Sequence, residues 1–161
     1  MKIKINTIIL TLSFLHFYSC DDSIQTNELW NDAQKYYEVK DYDNSLISLS
    51  RIINDNKADK DIKAKSLFLI SEIYLNEFKE YNISISFLDK ILNNFPDHNL
   101  SKRSLFTKAY INANYIDAYT EAVFLYELFI EKYPNDDLIS SVHYELNELS
   151  KFDNDINKLL K

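Results

Sequence analysis

The residues that could do chemistry are few in this chain of 161 residues, and they are poorly placed for catalysis. His16, His98 and His143 are far apart, and none has a second histidine or a thiol at the spacing of a metal site. Glu145 and Glu148 lie one turn apart on a predicted helix, which is more typical of a solvated face than of catalytic carboxylates. Glycine is absent, although nucleotide-binding loops and hydrolase nucleophile elbows require it. We therefore expect no enzymatic activity, no metal and no small-molecule substrate.

The first 20 residues have the pattern of a secretory signal followed by a cysteine. Lys2 and Lys4 give the first six residues a positive charge. Residues 7–17 form an apolar run that is shorter than the roughly 20 residues needed to span a bilayer. Ser19 and Cys20 follow, and Cys20 is the only cysteine, so it has no disulfide partner within the chain. We predict a signal peptide over residues 1–19.

The sequence Phe17-Tyr18-Ser19-Cys20 resembles the lipobox of bacterial lipoproteins, in which a small residue precedes the cysteine that becomes the mature N-terminus. The resemblance implies cleavage after Ser19, a diacylglycerol on the Cys20 thiol and an amine that can be acylated as well. No other cofactor is expected. Residues 20–26 would then be the acylated cysteine and a polar tether. The alternative is an ordinary cleaved signal peptide with a cysteine there by chance.

The chain is acidic, with a formal net charge of −7. Loss of residues 1–19 would remove Lys2 and Lys4, and these two positive charges take the balance from −7 to −9. Such a surface repels phosphate backbones and anionic headgroups. We therefore expect no binding to nucleic acid, and membrane association through the lipid alone.

A segment of about 35 residues recurs at an offset of 38 residues, and this repeat dominates the sequence. Residues 66–68, Ser-Leu-Phe, return as residues 104–106, and Tyr81 and Pro96 return as Tyr119 and Pro134. An earlier copy aligns at an offset of 38 up to residue 36 and of 39 from residue 42, with the one-residue slip expected in the turn near residues 40–41. Such a period predicts a repeat architecture with three units, near 27–57, 63–97 and 101–135.

Apolar residues at helical spacing place two helices in each unit, with Asn, Asp and Pro in the turns between them. The predicted helices cover residues 27–40, 43–55, 61–79, 82–95, 100–115, 118–133 and 137–151. The last of them would cover the open end of the array, as a capping helix does in a solenoid. The folded domain is therefore expected over residues 27–151, followed by a polar C-terminal tail over residues 152–161.

Each unit resembles the tetratricopeptide repeat (TPR). The shared features are a small residue in the first helix, an aromatic residue at the inter-helix turn, a small residue one turn later and a closing proline. These are Ala33, Ser71 and Ala109; Tyr42, Tyr81 and Tyr119; Ser45, Ser84 and Ala122; and Pro96 and Pro134. The resemblance implies an all-α, TPR-like α-solenoid of antiparallel helical hairpins, three repeats plus the capping helix. The period of 38 exceeds the usual 34, and Lys57 stands where the first unit would have its proline.

Together with the lipobox, the repeats make the chain similar to periplasmic TPR lipoproteins. Examples are the lipoprotein of the outer-membrane β-barrel assembly machine and the cell-division proteins associated with the Tol-Pal system. The resemblance implies a groove, lined by the first helices, that binds a peptide segment of a partner protein. The candidate groove residues are six large apolar side chains and two flanking cations: Trp30, Tyr37, Phe68, Leu75, Phe106 and Tyr110, with Lys65 and Arg103.

The expected function is that of a scaffold or adaptor in the bacterial cell envelope, serving outer-membrane assembly, division or secretion. We expect it to be lipid-anchored in the outer membrane and to face the periplasm. One alternative is a surface-exposed lipoprotein that captures peptide or glycan with its aromatic side chains. Another is a structural spacer without a partner.

Overall fold

The computed structural model describes the backbone of residues 21–159 and the side chains of residues 25–151. Within this range the chain forms seven α-helices and one π-helical segment, with no β-strand. The expected all-α fold is therefore confirmed. The predicted signal peptide, Cys20 and residues 160–161 lie outside the described residues. No described helix combines the length and the apolar character needed to cross a bilayer.

The chain divides into two compact units between Asp59 and Lys60. The first unit holds α1 (Asp21–Glu38) and α2 (Tyr42–Asn54), which pack together as a hairpin. The carboxylate of Asp41 caps α2 by accepting the backbone N–H of Asn44, at 3.3 Å. The fully buried apolar side chains of this unit are Ala33, Leu49 and Ile52.

The second unit holds five α-helices and the π-helical segment. These are α3 (Lys60–Ile73), the π-helical segment (Tyr74–Phe78), α4 (Tyr81–Asn94), α5 (Asn99–Asn114), α6 (Tyr119–Lys132) and α7 (Ile139–Leu159). Each helix packs against the next, and α3 also contacts α5 while α5 contacts α7. The first helices of the two hairpins and the last helix therefore lie side by side. The core around α5 and α6 contains Leu105, Ala109, Ala113, Ala122, Leu125, Tyr126, Phe129 and Val142.

The helix boundaries follow the predicted ones closely except at the two ends of the described chain. Helix α1 begins at Asp21 and not at residue 27, so the backbone of the predicted tether, residues 21–26, is helical. Helix α7 continues to Leu159 and not to residue 151, so most of the predicted polar tail is helical as well. Both segments are polar, and polar composition alone did not distinguish a helix from a tether.

The small residues of each hairpin lie at the point where its two helices cross. The three pairs, all at most 1% exposed, are Ala33 with Ser45, Ser71 with Ser84, and Ala109 with Ala122. Ser45 Oγ donates to the carbonyl of Ala33 at 2.9 Å, and Ser84 Oγ donates to the carbonyl of Ser71 at 2.9 Å. The third pair consists of two alanines, which fill the same space without a polar group. Small side chains thus let the two backbones approach closely in every hairpin.

The extra residue of the second and third units lies at the end of the first helix and not in the turn. In the first unit the N–H of Asp41 donates to the carbonyl of Tyr36, five residues earlier. In the second unit the N–H of Glu80 donates to the carbonyl of Tyr74, six residues earlier, across the π-helical segment. A π-helical turn absorbs one inserted residue by widening. The N–H of Ala118 likewise reaches six residues back, to Asn112.

Every hairpin turn contains one residue with positive φ, a conformation that glycine adopts at least cost. These residues are Lys40 (φ 62°), Lys79 (φ 56°) and Asp117 (φ 58°), each two positions before the tyrosine that starts the second helix. The absence of glycine suggested that such turns would be avoided. The αL residue ends the first helix, and its side chain bears a cost that glycine would not.

The starts of α5 and α7 are each tied to the preceding first helix by a capping side chain. His98 Nδ1 accepts the N–H of Leu100 at 3.1 Å, so a neutral ring carries its proton on Nε2, which lies 3.1 Å from Asp61 Oδ1. Asp136 caps α7 in the same way, because it accepts the N–H of Leu138 and also an ion-pair hydrogen bond from Lys102. The two caps therefore link α5 to α3 and α7 to α5.

Candidate peptide-binding face

The eight predicted groove residues are divided between the two units. Trp30 and Tyr37 lie on α1 in the first unit, and both are half-buried. The Tyr37 ring packs edge-to-face against Tyr42, with centroids 5.7 Å apart. The other six residues lie in the second unit, five of them on α3 and α5 and Leu75 in the π-helical segment.

The second unit has a surface built from α3, α5 and α7, which we call the first-helix face. It is defined by the side chains Glu72, Arg103, Phe106, Tyr110 and Glu145. These three helices contact one another in the order α3, α5, α7. The face is therefore the part of the molecule in which the predicted groove residues of neighbouring hairpins meet.

Phe68 differs from the expectation of an exposed anchor because it is only 6% exposed. The Arg103 guanidinium lies over its ring, 4.9 Å from the centroid, which is a cation–π distance. Lys65, the second predicted cation, forms an ion pair with Asp61 at 2.6 Å one turn earlier on α3. Both cations thus have partners inside the protein, and neither is free to flank a groove as predicted.

Glu72 lies one turn after Phe68, half-buried and within electrostatic reach of Arg103. Burial raises the pKa of its carboxyl above the ordinary value of 4.5, and the charge of Arg103 offsets only part of that rise. Within the described residues Glu72 has no ion pair closer than 4 Å. The face therefore keeps one poorly solvated carboxylate on its α3 side.

Replacing Glu72 with glutamine should stabilise the protein at pH 7, because the neutral amide avoids the cost of a desolvated charge. The raised pKa means that the native state binds the proton more tightly than the unfolded state. The native state is thus favoured at acidic pH, and this contribution is lost as the pH rises through the folded pKa. The stabilising effect of Glu72→Gln, measured by urea unfolding, should therefore disappear below pH 4.5.

Glu77→Gln is the matched control for that measurement, because Glu77 is exposed on the same stretch of chain. It should leave the urea midpoint unchanged at both pH values. A Glu72→Gln variant that is less stable than the parent at pH 7 would show that Arg103 more than compensates the burial of the carboxylate.

The aromatic residues of α5 form a connected group with residues of α6. Phe106 stacks with Tyr110 at 6.4 Å and meets the rings of Tyr126 and Phe129 edge-on at 5.9 and 6.3 Å. Tyr110 in turn packs against Tyr115 at 5.9 Å. Phe106 and Tyr110 are both half-buried, so each ring supports the core and still presents part of its surface. They are the predicted anchors whose placement suits binding.

Leu75 lies in the π-helical segment and is half-buried. Beside it, Tyr74 stacks on Phe87 at 5.9 Å and packs edge-on against Phe78 at 5.6 Å. The widened turn therefore sets the position of Leu75 relative to α4. No other ring or charged group ties it to the first-helix face in the described residues.

Two residues of the site were missed by the sequence interpretation. Glu145 was grouped with Glu148 as part of a solvated face, but Glu145 is half-buried, whereas Glu148 is exposed and paired with Lys151 at 2.5 Å. Tyr126 was assigned to the apolar stripe of α6, and it is fully buried. The spacing of Glu145 from Val142, the fully buried residue one turn earlier, could have indicated its inward position.

A separate open groove runs between α6 and α7, with a volume of about 560 Å³. Its lining residues are Tyr119, Thr120, Val123, Glu127, Leu146, Leu149 and Ser150. None of the predicted groove residues contributes to it. In the described part of the chain no cluster of three His, Cys, Asp or Glu side chains could hold a metal ion.

Comparison with known proteins gives no assignment to set beside this geometry, since no protein-family model matches the chain and no curated protein matches it.

Proposed function

We propose that the protein is a lipid-anchored adaptor of the bacterial cell envelope, built as a TPR-like array, that binds a segment of a partner protein on its first-helix face. The observation that carries this proposal is the repeated hairpin. Second helices begin at Tyr42, Tyr81 and Tyr119, at the 39- and 38-residue spacing of the sequence repeat, and a pair of small residues is buried at each crossing. Arrays of this kind expose the face formed by their first helices for binding.

The side-by-side arrangement of α3, α5 and α7 supports the same proposal. Phe106 and Tyr110 present partly exposed rings there, and large aromatic anchors supply much of the affinity at protein interfaces. We propose peptide-segment binding for this face because the anchors lie on rigid helices that the core of the second unit holds in place.

The membrane anchor is proposed from the sequence alone, because Cys20 precedes the described residues. A lipid on Cys20 would hold an acidic domain at a membrane whose headgroups do not attract it. We place the protein at the outer membrane, facing the periplasm, where partners in outer-membrane assembly, division or secretion are available.

Changing Cys20 to serine should move the protein from the membrane fraction to the soluble fraction. Two or three acyl chains bury enough methylene groups for stable anchoring, at about 0.8 kcal/mol each, and serine carries none of them. Fractionation of cells followed by immunoblotting measures the shift. A Ser23→Ala variant, which keeps the cysteine, is the control and should stay in the membrane. Unchanged membrane association of the Cys20 variant would refute lipidation.

Site-specific photo-cross-linking tests the adaptor function in cells. Benzoylphenylalanine in place of Tyr110, on the first-helix face, should capture a discrete protein partner that mass spectrometry can identify. Benzoylphenylalanine in place of Phe124 is the control, because Phe124 is an aromatic residue that is 57% exposed on α6. Capture at residue 124 alone would move the binding site away from the first-helix face, and capture at neither would favour a structural spacer.

The second candidate, a surface-exposed lipoprotein that captures peptide or glycan, is favoured by exposed aromatic side chains. Tyr115, Phe124 and Tyr144 are 45, 57 and 62% exposed, and such rings can stack on sugars. Protease treatment of intact cells separates the two candidates, because only a surface-exposed domain would be cleaved. Protection until the outer membrane is permeabilised would support the periplasmic adaptor.

A further inference from the structure

The hydroxyl of Tyr126 is a buried polar group without a partner. Tyr126 has no exposed surface, and its Oη makes no hydrogen bond within the described part of the chain. Buried polar groups in native proteins nearly always have partners, because an unpaired one loses its hydration without compensation. An orphaned hydroxyl next to a partly exposed face is therefore a sign that something else binds there.

The Tyr126 hydroxyl points toward two groups of the first-helix face, Glu145 on α7 and Tyr110 on α5. Burial raises the pKa of the Tyr126 hydroxyl, and the Glu145 carboxylate and Tyr110 raise it further, so both groups are within electrostatic range. Burial also raises the pKa of Tyr110, to which Tyr115 and the Glu145 carboxylate again contribute. One carboxylate and two phenols thus converge at the contact between α5 and α7.

Glu145 has no cation of its own. Within the described residues it forms no ion pair, although it is half-buried and would gain from one. The nearby basic side chains are engaged elsewhere. Lys108 pairs with Asp89 at 2.8 Å, Lys102 with Asp136, and Lys65 with Asp61 at 2.6 Å, while Arg103 lies over Phe68 at 4.9 Å.

These groups are complementary to a cation. A guanidinium or ammonium group can donate hydrogen bonds to the Glu145 carboxylate and to the Tyr126 oxygen, and both acceptors are free of other partners in the described residues. The Tyr110 ring, which stacks on Phe106, can support the same cation from its face. An anionic ligand would instead meet the uncompensated charge of Glu145. The acidic chain as a whole, with a net charge of −7, also favours a basic partner.

On the basis of the proposed function, we infer that the α5–α7 part of the first-helix face is a subsite for a basic side chain, an arginine or lysine of the bound protein segment, held by Glu145, Tyr126 and Tyr110. This subsite reverses the polarity expected from Lys65 and Arg103, whose charges are already compensated within the protein. The partner segment would place its cation between α5 and α7 and its apolar side chains along Phe106.

Two small probes that differ in charge test the subsite without knowledge of the partner. N-acetyl-arginine amide carries a guanidinium, and N-acetyl-citrulline amide has nearly the same shape without the charge. NMR titration of the protein with ¹³C-labelled tyrosine reports on the rings of Tyr110 and Tyr126. We expect the arginine probe to shift both ring signals and to bind about tenfold more tightly than the citrulline probe, the size of effect expected for a hydrogen-bonded charge.

Three variants make the result specific. Glu145→Gln should abolish the preference for arginine over citrulline, whereas Glu148→Gln, on the same helix but exposed and paired with Lys151, should preserve it. Tyr126→Phe should weaken arginine binding severalfold without lowering the unfolding midpoint, because the free protein loses only an unpaired hydroxyl. A purely structural role for Tyr126 would produce the opposite pattern, a lower midpoint and unchanged binding.

Equal binding of the two probes, or no shift of either tyrosine signal, would overturn the cation subsite. An arginine preference that survives in Glu145→Gln would overturn it as well. Neither result bears on the adaptor function, which the cross-linking experiment at residue 110 tests separately. Conversely, failure of the cross-linking experiment together with a clear arginine preference would leave the subsite standing and remove the proposed partner class.

Discussion

Replacing Phe129 with alanine should lower the free energy of unfolding by about 3–5 kcal/mol. Phe129 has no exposed surface, and the rings of Phe106 and Tyr133 pack against it at 6.3 and 5.2 Å. Truncation would remove buried apolar surface and leave a cavity between α5 and α6 that the surrounding helices can fill only in part. Urea unfolding followed by far-UV circular dichroism measures the effect directly in a helical protein.

Phe124 provides the matched control for Phe129, because it is the same residue type on the same helix and is 57% exposed. Phe124→Ala should change the free energy of unfolding by less than about 0.5 kcal/mol. Similar losses in the two variants would mean that α6 packs with a different face toward the core. The same result would also remove the support that Phe129 gives to Phe106 on the first-helix face.

Replacing Ser84 with leucine should destabilise the protein by about 2–4 kcal/mol. Ser84 has no exposed surface and lies at the crossing of α3 and α4, where its hydroxyl donates to the carbonyl of Ser71 at 2.9 Å. A leucine side chain would force the two helices apart and remove that hydrogen bond. The loss is expected as a lower urea midpoint with an unchanged slope, since the unfolded chain exposes a similar area.

Two controls separate the size of the side chain from its hydrogen bond. Ser84→Ala keeps the close approach and should cost only about 1 kcal/mol, because Ala122 occupies the equivalent position in the third hairpin without a hydroxyl. Ser86→Leu places the same bulk two residues later, on the exposed side of α4, and should be nearly neutral. A well-tolerated leucine at residue 84 would contradict the close packing of that hairpin.

Most of the fold could be predicted from the sequence because local and long-range signals agree. The apolar spacing fixed the helical period, and the repeat fixed the boundaries, so the starts of the three second helices were placed within one residue of Tyr42, Tyr81 and Tyr119. The small residues identified the helix crossings in all three hairpins. Such agreement between levels is expected of sequences that fold to one structure.

The departures arise where the backbone, and not the side-chain pattern, accommodates the chain. The alignment placed the one-residue slip in the turn near Lys40, where loops usually tolerate insertions. The structure places it in a widened helical turn at residues 74–78. The positive φ of Lys40, Lys79 and Asp117 was also unexpected in a chain without glycine. Residue type gives only a weak indication of either feature.

The candidate site was harder to predict than the fold because it depends on which side chains neutralise one another. Helical projection placed Phe68 and Arg103 on the same face, but it could not show that the guanidinium covers the ring. It also assigned Glu145 to solvent together with Glu148, because a spacing of three residues does not reveal which of the two faces inward. Contacts between neighbouring helices decide both points, and they are not encoded in the period of a single helix.

The early start of α1 has a consequence for how far the first unit could stand from a membrane. Six residues of extended chain would act as a flexible leash with a reach of about 20 Å, whereas six residues of helix rise only about 9 Å. With α1 beginning at Asp21, a lipid on Cys20 would be joined to a rigid stem and not to a leash. The first unit would then ride close above the headgroups, so a partner would have to meet it at the membrane surface.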